Sequence, residues 1–542
     1  MTKKIFNLII FLFFSKIMFA QHSLSSLRLE SYKKIQENNF PFDSVKFRNI
    51  GPSVMSGRIT DIEVNPNNST EFYVAYASGG VFYSNNNGQT FEPIFDREAT
   101  LTIGDMAMDW KNNVLWVGTG EVNSSRSSYA GTGIYKSENS GRTWQHLGLE
   151  ESHHVGKIIL HPSNKQIAWC GVLGHLYTTN KERGIYKTED GGKSWKQVLY
   201  INDSTGVVDM QIINEKKLIA SAWSRTRSAW NFNGAGGETG LYFSEDGGET
   251  WQKNKSGNGF PEGKGVGRIG ISVSASKPNI LYALVDNQFN QEKKGTDEEQ
   301  KKLNARDFLT MSDVDFNKIS DKDLNAYLKE NNYPEKYTAK NIRENIAQKK
   351  YKIADVGNWK LADADANLFN TPIYGAQVCR SDDGGATWKI TNKEILEGVY
   401  FTYGYYFGTI QVSPSNADEV WIGGYPILRS IDGGKTFEQK DGENCHPDYH
   451  RIWINPKQNN HVIAANDGGL NISYDNGENW FKANSPAVGQ FYAIEVDDEK
   501  PYNVYGGLQD NGTWYGSSKN IENESWHQSG QYGYKEVGGG DG

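Results

Sequence analysis

Three acidic residues stand where a carboxylate could do chemistry. Glu121 closes Val117-Gly-Thr-Gly-Glu121, Asp467 sits in Asn466-Asp467-Gly-Gly469, and Asp510 in Gln509-Asp510-Asn-Gly512. Each follows an apolar, strand-like run, so each falls at a strand end, as do Asp105, Asp209 and Asp541. Two carboxyl groups about 5 to 9.5 Å apart, one donating a proton and the other attacking or activating water, would hydrolyse a glycosidic bond. The simpler use of the same residues is to cap a turn. A second group joins arginines to aromatic rings: Arg225, Arg227, Trp230 and Phe232 in the stretch 224–239, and Arg126 with Tyr129 in the stretch 121–132. Such groups suit the face of a sugar and the side chains of a peptide equally well. A third group is histidine with aspartate, in His446-Pro-Asp448-Tyr-His450 and His153-His154. Their spacing matches no recognised zinc motif, and neither a metal nor a cofactor is expected.

These residues lie on connections, and the elements that must hold the connections repeat. The phrase Ser244-Glu-Asp246-Gly-Gly248-Glu-Thr250-Trp251 is written seven times, beginning at Ser84, Ser137, Thr188, Ser244, Ser381, Ser430 and Ser473. Successive starts are 53, 51, 56, 137, 49 and 43 residues apart, so all but one interval fits a blade-sized unit of about 40 to 55 residues. The third position (Asn86, Asn139, Asp190, Asp246, Asp383, Asp432, Asp475) can accept backbone N–H bonds across a tight turn, and the glycine at the fifth supplies a positive φ. Both roles are structural. The closing aromatic is large enough to bury between neighbouring units, at about 2–3 kcal/mol.

Between the phrases the order of apolar runs is constant. Arg58 to Val64, Glu71 to Tyr76 and Gly80 to Tyr83 read as three strands leading into the first phrase, with a fourth after it. Eight such units can be counted, the last without a recognisable phrase. The expected fold is therefore all-β, a β-propeller of seven to eight four-stranded blades over residues 45–542, preceded by a segment 21–44. Its closure cannot be read from the sequence. The chain stops where a further innermost strand is due, which reads as a fragment or a shortened end. In a ring of eight, the third and seventh units would face each other and bring His153, His154 and His450 to one channel mouth. Connections between second and third strands are long at 121–132, 224–239 and 288–374, all on the face opposite the repeated phrase. Binding residues collect on such loops. The insertion 288–374 in the fifth unit carries two helical patterns, Asp321 to Leu328 and Thr338 to Ile346.

Composition narrows the class. The 542 residues include 58 Gly and 15 Trp, and the net charge is −8. With no basic stripe interleaved with aromatics, nucleic acid is not an expected partner. Lys3 and Lys4 precede an apolar run from Ile5 to Phe14 and then Met18-Phe-Ala20, a secretory leader over residues 1–20. No run is long enough to span a bilayer, so the protein is expected to be exported, periplasmic or secreted. Cys170, Cys379 and Cys445 are expected as free thiols, the first two buried.

The repeated phrase resembles the Asp-box (BNR repeat). Together with Val117 to Asn123, Ala222 to Gly234, His461 to Gly469 and Tyr505 to Trp514, it makes the chain similar to bacterial exported Asp-box propellers of sortilin type and glycosyl hydrolase type. The resemblance covers nearly everything after residue 45. It implies a propeller that binds a glycan or peptide on its loop-rich face, or alternatively a glycoside hydrolase using a carboxylate pair there. Xyloglucan-cleaving members place an Asp in Thr-Asp-Val-Gly-Gly at the end of a second strand. The matching stretch here is Tyr76-Ala77-Ser78-Gly79-Gly80, which lacks the acid. The sialidase pattern implies convergent arginines, for which Arg58, Arg268, Arg225 and Arg227 are the candidates.

Overall fold

The computed structural model describes residues 24–37, 48–52, 56–229, 231–291, 303, 305, 307–361, 373–483, 486, 488–521 and 533–542. The leader expected over residues 1–20 and Trp230 lie outside them. A helix, α1, covers Leu24–Glu37.

Eight four-stranded antiparallel sheets follow one another among the described residues, each with its strands in chain order. In the first, strand A is Ile59–Val64, B is Phe72–Tyr76, C is Gly80–Ser84 and D is Glu92–Pro93. In the first, third, sixth and seventh sheets the B strand is buried along its whole length, as in Phe72–Tyr76 and Val462–Asn466. A neighbouring sheet covers each of their faces, which is why their sequences read as unbroken apolar runs. The D strands are short and exposed at the rim.

The repeated phrase forms the turn from C to D. In the fourth sheet, Gly248 N donates to Ser244 Oγ (2.8 Å), Thr250 N to Asp246 Oδ1 (2.9 Å) and Thr250 Oγ1 to Asp246 Oδ2 (2.6 Å). In the last copy Asn479 replaces the threonine and donates to Asp475 Oδ2 at 2.8 Å. Each turn also reaches the preceding sheet. Trp195 Nε1 donates to Leu147 O at 2.8 Å and Trp480 Nε1 to Lys440 O at 2.6 Å. Gly248 has a φ of 80°, and a Cβ there would lie 2.2 Å from Trp169 Nε1 of the third sheet. The fifth position must therefore lack a side chain for two reasons, conformation and close approach.

The same contact closes the ring. A Cβ on Gly88, in the first sheet's turn, would lie 2.7 Å from Ala483 Cβ at the end of the seventh sheet. Ile59, Ile62, Phe72 and Val74 share a core with Ile463, Ala465, Leu470 and Ile472 of that sheet. Seven sheets thus complete the propeller. The eighth, made of Phe491–Val496, Asn503–Leu508, Thr513–Ser517 and Tyr534–Gly538, stands outside it. Its innermost strand leaves Tyr492, Ile494 and Val496 exposed. A ring of eight, and with it the meeting of the third and seventh units across the channel, does not form.

Strand A of each ring blade lines the central channel, and three aspartates staple one strand to the next. Met106 N donates to Asp61 Oδ2 (2.8 Å), Ile158 N to Asp105 Oδ2 (2.7 Å) and Ile271 N to Asp209 Oδ2 (2.8 Å). Each aspartate sits at an irregularity in the A–B ladder, where the bulged backbone turns its side chain toward the neighbouring blade. Lys157 Nζ lies 2.7 Å from Asp105 Oδ1, and Arg451 Nε lies 2.6 Å from Asp61 Oδ1, joining seventh blade to first. Asp105 and Asp209, expected on the loop-rich face, instead staple the channel wall.

The long connection in the fifth sheet belongs to a second compact unit, Gln288–Gly375 with Tyr400–Tyr403. Its helices are α2 (Asp307–Thr310), α3 (Asp313–Lys318), α4 (Asp321–Glu330), α5 (Ala339–Ala347) and α6 (Ile353–Leu361). Ser312, Ser320 and Thr338 cap α3, α4 and α5 by accepting from backbone N–H groups three residues on. Phe308, Phe316, Leu324, Leu328, Ile342 and Val356 form a core of the unit's own. Cys170, Cys379 and Cys445 are free thiols, the first two buried.

Candidate functional site

The turns from C to D and from A to B share one face of the ring, as the bond from Asn87 N to Thr70 O (2.8 Å) shows. The B-to-C and D-to-A connections share the other. On that second face the connections converge on a buried polar network.

Arg58, just before the first A strand, is its centre. Its Nη2 donates to Glu121 Oε1 (3.0 Å), in the B-to-C loop of the second blade. Its Nη1 donates to the Tyr406 hydroxyl and lies 3.6 Å from Asp467 Oδ2, in the B-to-C turn of the seventh. Tyr406 in turn donates to Asp467 Oδ2 (2.9 Å), and Ser128 Oγ to Glu121 Oε1 (2.8 Å). A second chain reaches the same carboxylate: Arg268 Nη1 donates to Asn123 Oδ1 (3.0 Å), Asn123 Nδ2 to His450 Nδ1 (3.2 Å), and His450 Nε2 lies 2.7 Å from Asp467 Oδ1. Because the Asn123 amide occupies Nδ1, the proton of a neutral His450 sits on Nε2 and points at Asp467.

Asp510 comes from the eighth sheet. Its side chain shares a hydrogen bond with Asp467. Asn511 Nδ2 donates to Asp467 O at 3.0 Å, and His446 Nε2 lies 2.9 Å from Asp510 O. Asp541, also of the eighth sheet, accepts from Asp510 N (3.1 Å) and the Tyr492 hydroxyl (2.9 Å).

The electrostatics separate these acids. Burial, then the charge of Asp467 and the hydrogen bond to it, pushes Asp510 up to about 8. Burial and the charges of Asp467 and Asp510 likewise raise Asp448 to about 8. For Asp467 burial acts upward but is outweighed by His450 and Arg58, which hold it at about 2. Burial works to deprotonate Arg58, yet Glu121, Asp467, Asp510 and Asp448 together hold its pKa above the ordinary value. Burial lowers His450 despite Asp467. Near neutrality, then, Asp510 and Asp448 are protonated, Asp467 is ionised and His450 is neutral. Asp467 and Asp510 form a split pair sharing one proton.

Glu121, Asp467, Asp510 and His450 are brought together. The arginine–aromatic group is divided. Arg225 is buried and donates to the carbonyls of Gly174, His175 and Leu176. Arg227 lies over Phe232, 4.2 Å from the ring centre, on the hairpin Thr226–Ser228/Asn231–Asn233. Arg126 O accepts from the Tyr177 hydroxyl at 3.4 Å. Tyr129, Tyr177 and Tyr425, on B-to-C connections of the second, third and sixth blades, are 55%, 51% and 49% exposed. The convergent arginine set does not assemble: Arg58 and Arg268 enter the polar network, whereas Arg225 is spent on carbonyls. His154 Nδ1 is bonded to Glu121 O (2.8 Å), and His153 turns toward His175, stacked at 3.7 Å.

Sequence reasoning missed Tyr406, Asn123 and Tyr177 as members of this face. Tyr406 lies in an aromatic run after the fifth blade, and only the ring brings that run beside Arg58.

Residues 132–360 match the family described as Sortilin, neurotensin receptor 3. The GH74 xyloglucanase from Xanthomonas campestris is 13% identical with a TM-score of 0.54, covering 86% of this chain and 60% of that one. An ancestral GH74 enzyme is 15% identical with a TM-score of 0.53, covering 86% of this chain and 54% of its own. This chain thus spans little more than half the length of either structure. No curated protein matches it in sequence. What the likeness to these structures shows is the fold, a β-propeller.

Proposed function

We propose that this protein is an exported β-propeller that binds a glycan or a peptide on its loop-rich face. The observation that carries the reading is the division of labour there. The charged groups at the centre are bonded to one another, which makes a rigid floor, while Tyr129, Tyr177, Tyr425 and the Arg227–Phe232 pair stand around it. Exposed aromatics and a stacked guanidinium on loops held by a stiff scaffold are a ligand surface. The Lys3–Lys4 start followed by an apolar run supports export.

One observation favours hydrolysis as a second reading. Asp510 is held protonated beside an ionised Asp467, the split that an acid and a base need. Against it, the two share a hydrogen bond, closer than the roughly 5–9.5 Å that retaining and inverting glycosidases use. Hydrolysis would require an incoming sugar to part them.

A glycan array and a peptide library, each probed with the native chain and with a Tyr129→Ala/Tyr177→Ala/Arg227→Ala variant, test the first reading. The variant is expected to bind at least about tenfold more weakly, the loss of one or more contacts of at least 1.4 kcal/mol. Equal binding by both chains would overturn it. Release of reducing ends from a polysaccharide, abolished by Asp510→Asn, would establish the second.

A further inference from the structure

We infer that Glu151, His153 and His175 form a binding site for one divalent transition-metal ion, zinc by its donor set. This assignment is independent of the proposed function. The three residues come from two separate connections of the loop-rich face. Glu151 lies in the 3-10 turn Glu150–Ser152 between the second and third blades, with His153 just after it. His175 follows the third blade's B strand, Ala168–Val172.

One ligand atom from each of the three lies within 4.8 Å of the others. Glu151 Oε2 is 3.3 Å from His175 Nε2 and 3.6 Å from His153 Nε2. Two ligands bound to tetrahedral zinc at about 2.0–2.1 Å stand about 3.4 Å apart, so both separations already have the span of a shared ion. The two rings are stacked with centres 3.7 Å apart at 20°, so both imidazoles lie side by side at the carboxylate.

The tautomers also suit a metal. His175 Nδ1 lies 3.0 Å from Thr178 Oγ1, and His175 N donates to Asn180 Oδ1 at 3.0 Å. These bonds hold the ring and leave Nε2, which is buried and without a hydrogen-bond partner, facing Glu151. That is the outer support metal-binding imidazoles receive. His153 Nε2 is 3.1 Å from the Ser25 hydroxyl, which can donate to its lone pair, so α1 covers the site and ion entry displaces this bond. The backbone is strained at the same place: Leu149 and His153 both have positive φ, 59° and 53°. Strain of this kind gathers at functional sites. Two imidazole nitrogens and one carboxylate are a zinc set with room for a fourth, exchangeable ligand.

The test uses the full chain, freed of any affinity tag, stripped with a chelator and titrated with Zn2+ by calorimetry and with Co2+ by visible absorption. One ion per chain and a cobalt spectrum with the intense d–d bands of a low-coordinate N/O site are expected. His175→Gln and His153→Gln should each abolish both, and Thr178→Val should weaken affinity about 10–100-fold while circular dichroism shows the propeller intact. His161→Gln, at a histidine away from the cluster, should bind as the native chain does. Absence of stoichiometric binding, or a stoichiometry unchanged by both histidine variants, would overturn the assignment.

Discussion

Asp467 and Asp510 present one proton to two oxygens, and the consequence can be measured without a ligand. An aspartate of an unfolded chain titrates near pH 4, whereas in the fold Asp510 is raised to about 8. Between those values the folded state holds the extra proton, so this group's contribution to stability is whole below about pH 4 and is lost as pH rises toward 8. Asp448, also raised to about 8, acts in the same direction. Asp467, held at about 2, acts oppositely: its contribution is present above about pH 4 and is lost as pH falls toward 2. Asn in place of Asp510 keeps a donor for Asp467 but cannot titrate. Glu63 and Asp105, raised to about 8 and about 7 by burial, act in the same direction, so we expect the fall in melting temperature between pH 5 and 8 to be shallower in Asp510→Asn but not abolished, with Asp448, Glu63 and Asp105 supplying the remainder. Parallel curves for the two chains would mean that Asp510 is not held protonated. The sequence identified both carboxylates as strand-end residues; that one neutralises the other follows only from their contact.

The element that repeats is a turn that also serves as an interlock. Its fifth position is always glycine, whereas its fourth holds Asn87, Ser140 and Asn476 in three copies, and the structure gives the reason. Gly247 and Gly248 have φ of 73° and 80°, but a Cβ on Gly247 meets nothing nearer than Glu215 O at 3.9 Å, whereas one on Gly248 falls 2.2 Å from Trp169 Nε1. Ala at 247 should cost only the left-handed backbone penalty, about 1 kcal/mol. Ala at 248 should add overpacking against the third blade, for about 3 kcal/mol in all. Urea denaturation of the two variants decides it, and equal losses would show that the interlock carries no energy. The turn's period and hydrogen-bonding residues were legible along the chain. Its partner was not, because Trp169 lies one blade away.

At the scale of the molecule, ring closure sorts segments by stability. Val462–Asn466 is buried on both faces between the sixth and first blades, whereas the strand Phe491–Val496 exposes nearly every side chain. Amide exchange should therefore be slowest in Val462–Asn466 and faster by orders of magnitude in Phe491–Val496. Comparable protection in the two would argue that the eighth sheet is a member of the ring. Sequence by itself determined what depends on neighbours along the chain: the four-stranded unit, its period, the capped helices α4 and α5, and the face on which the connections 121–132 and 224–239 emerge. It did so because turn chemistry and hydrophobic alternation act over a few residues. Only the tertiary structure decided that the ring closes at seven, that Asp105 and Asp209 staple the channel rather than face a ligand, that Arg225 is buried, and that His153 meets His175 instead of His450. Each of these depends on the angle between successive blades, which arises from inter-sheet contacts spread over many side chains and is encoded at no single position.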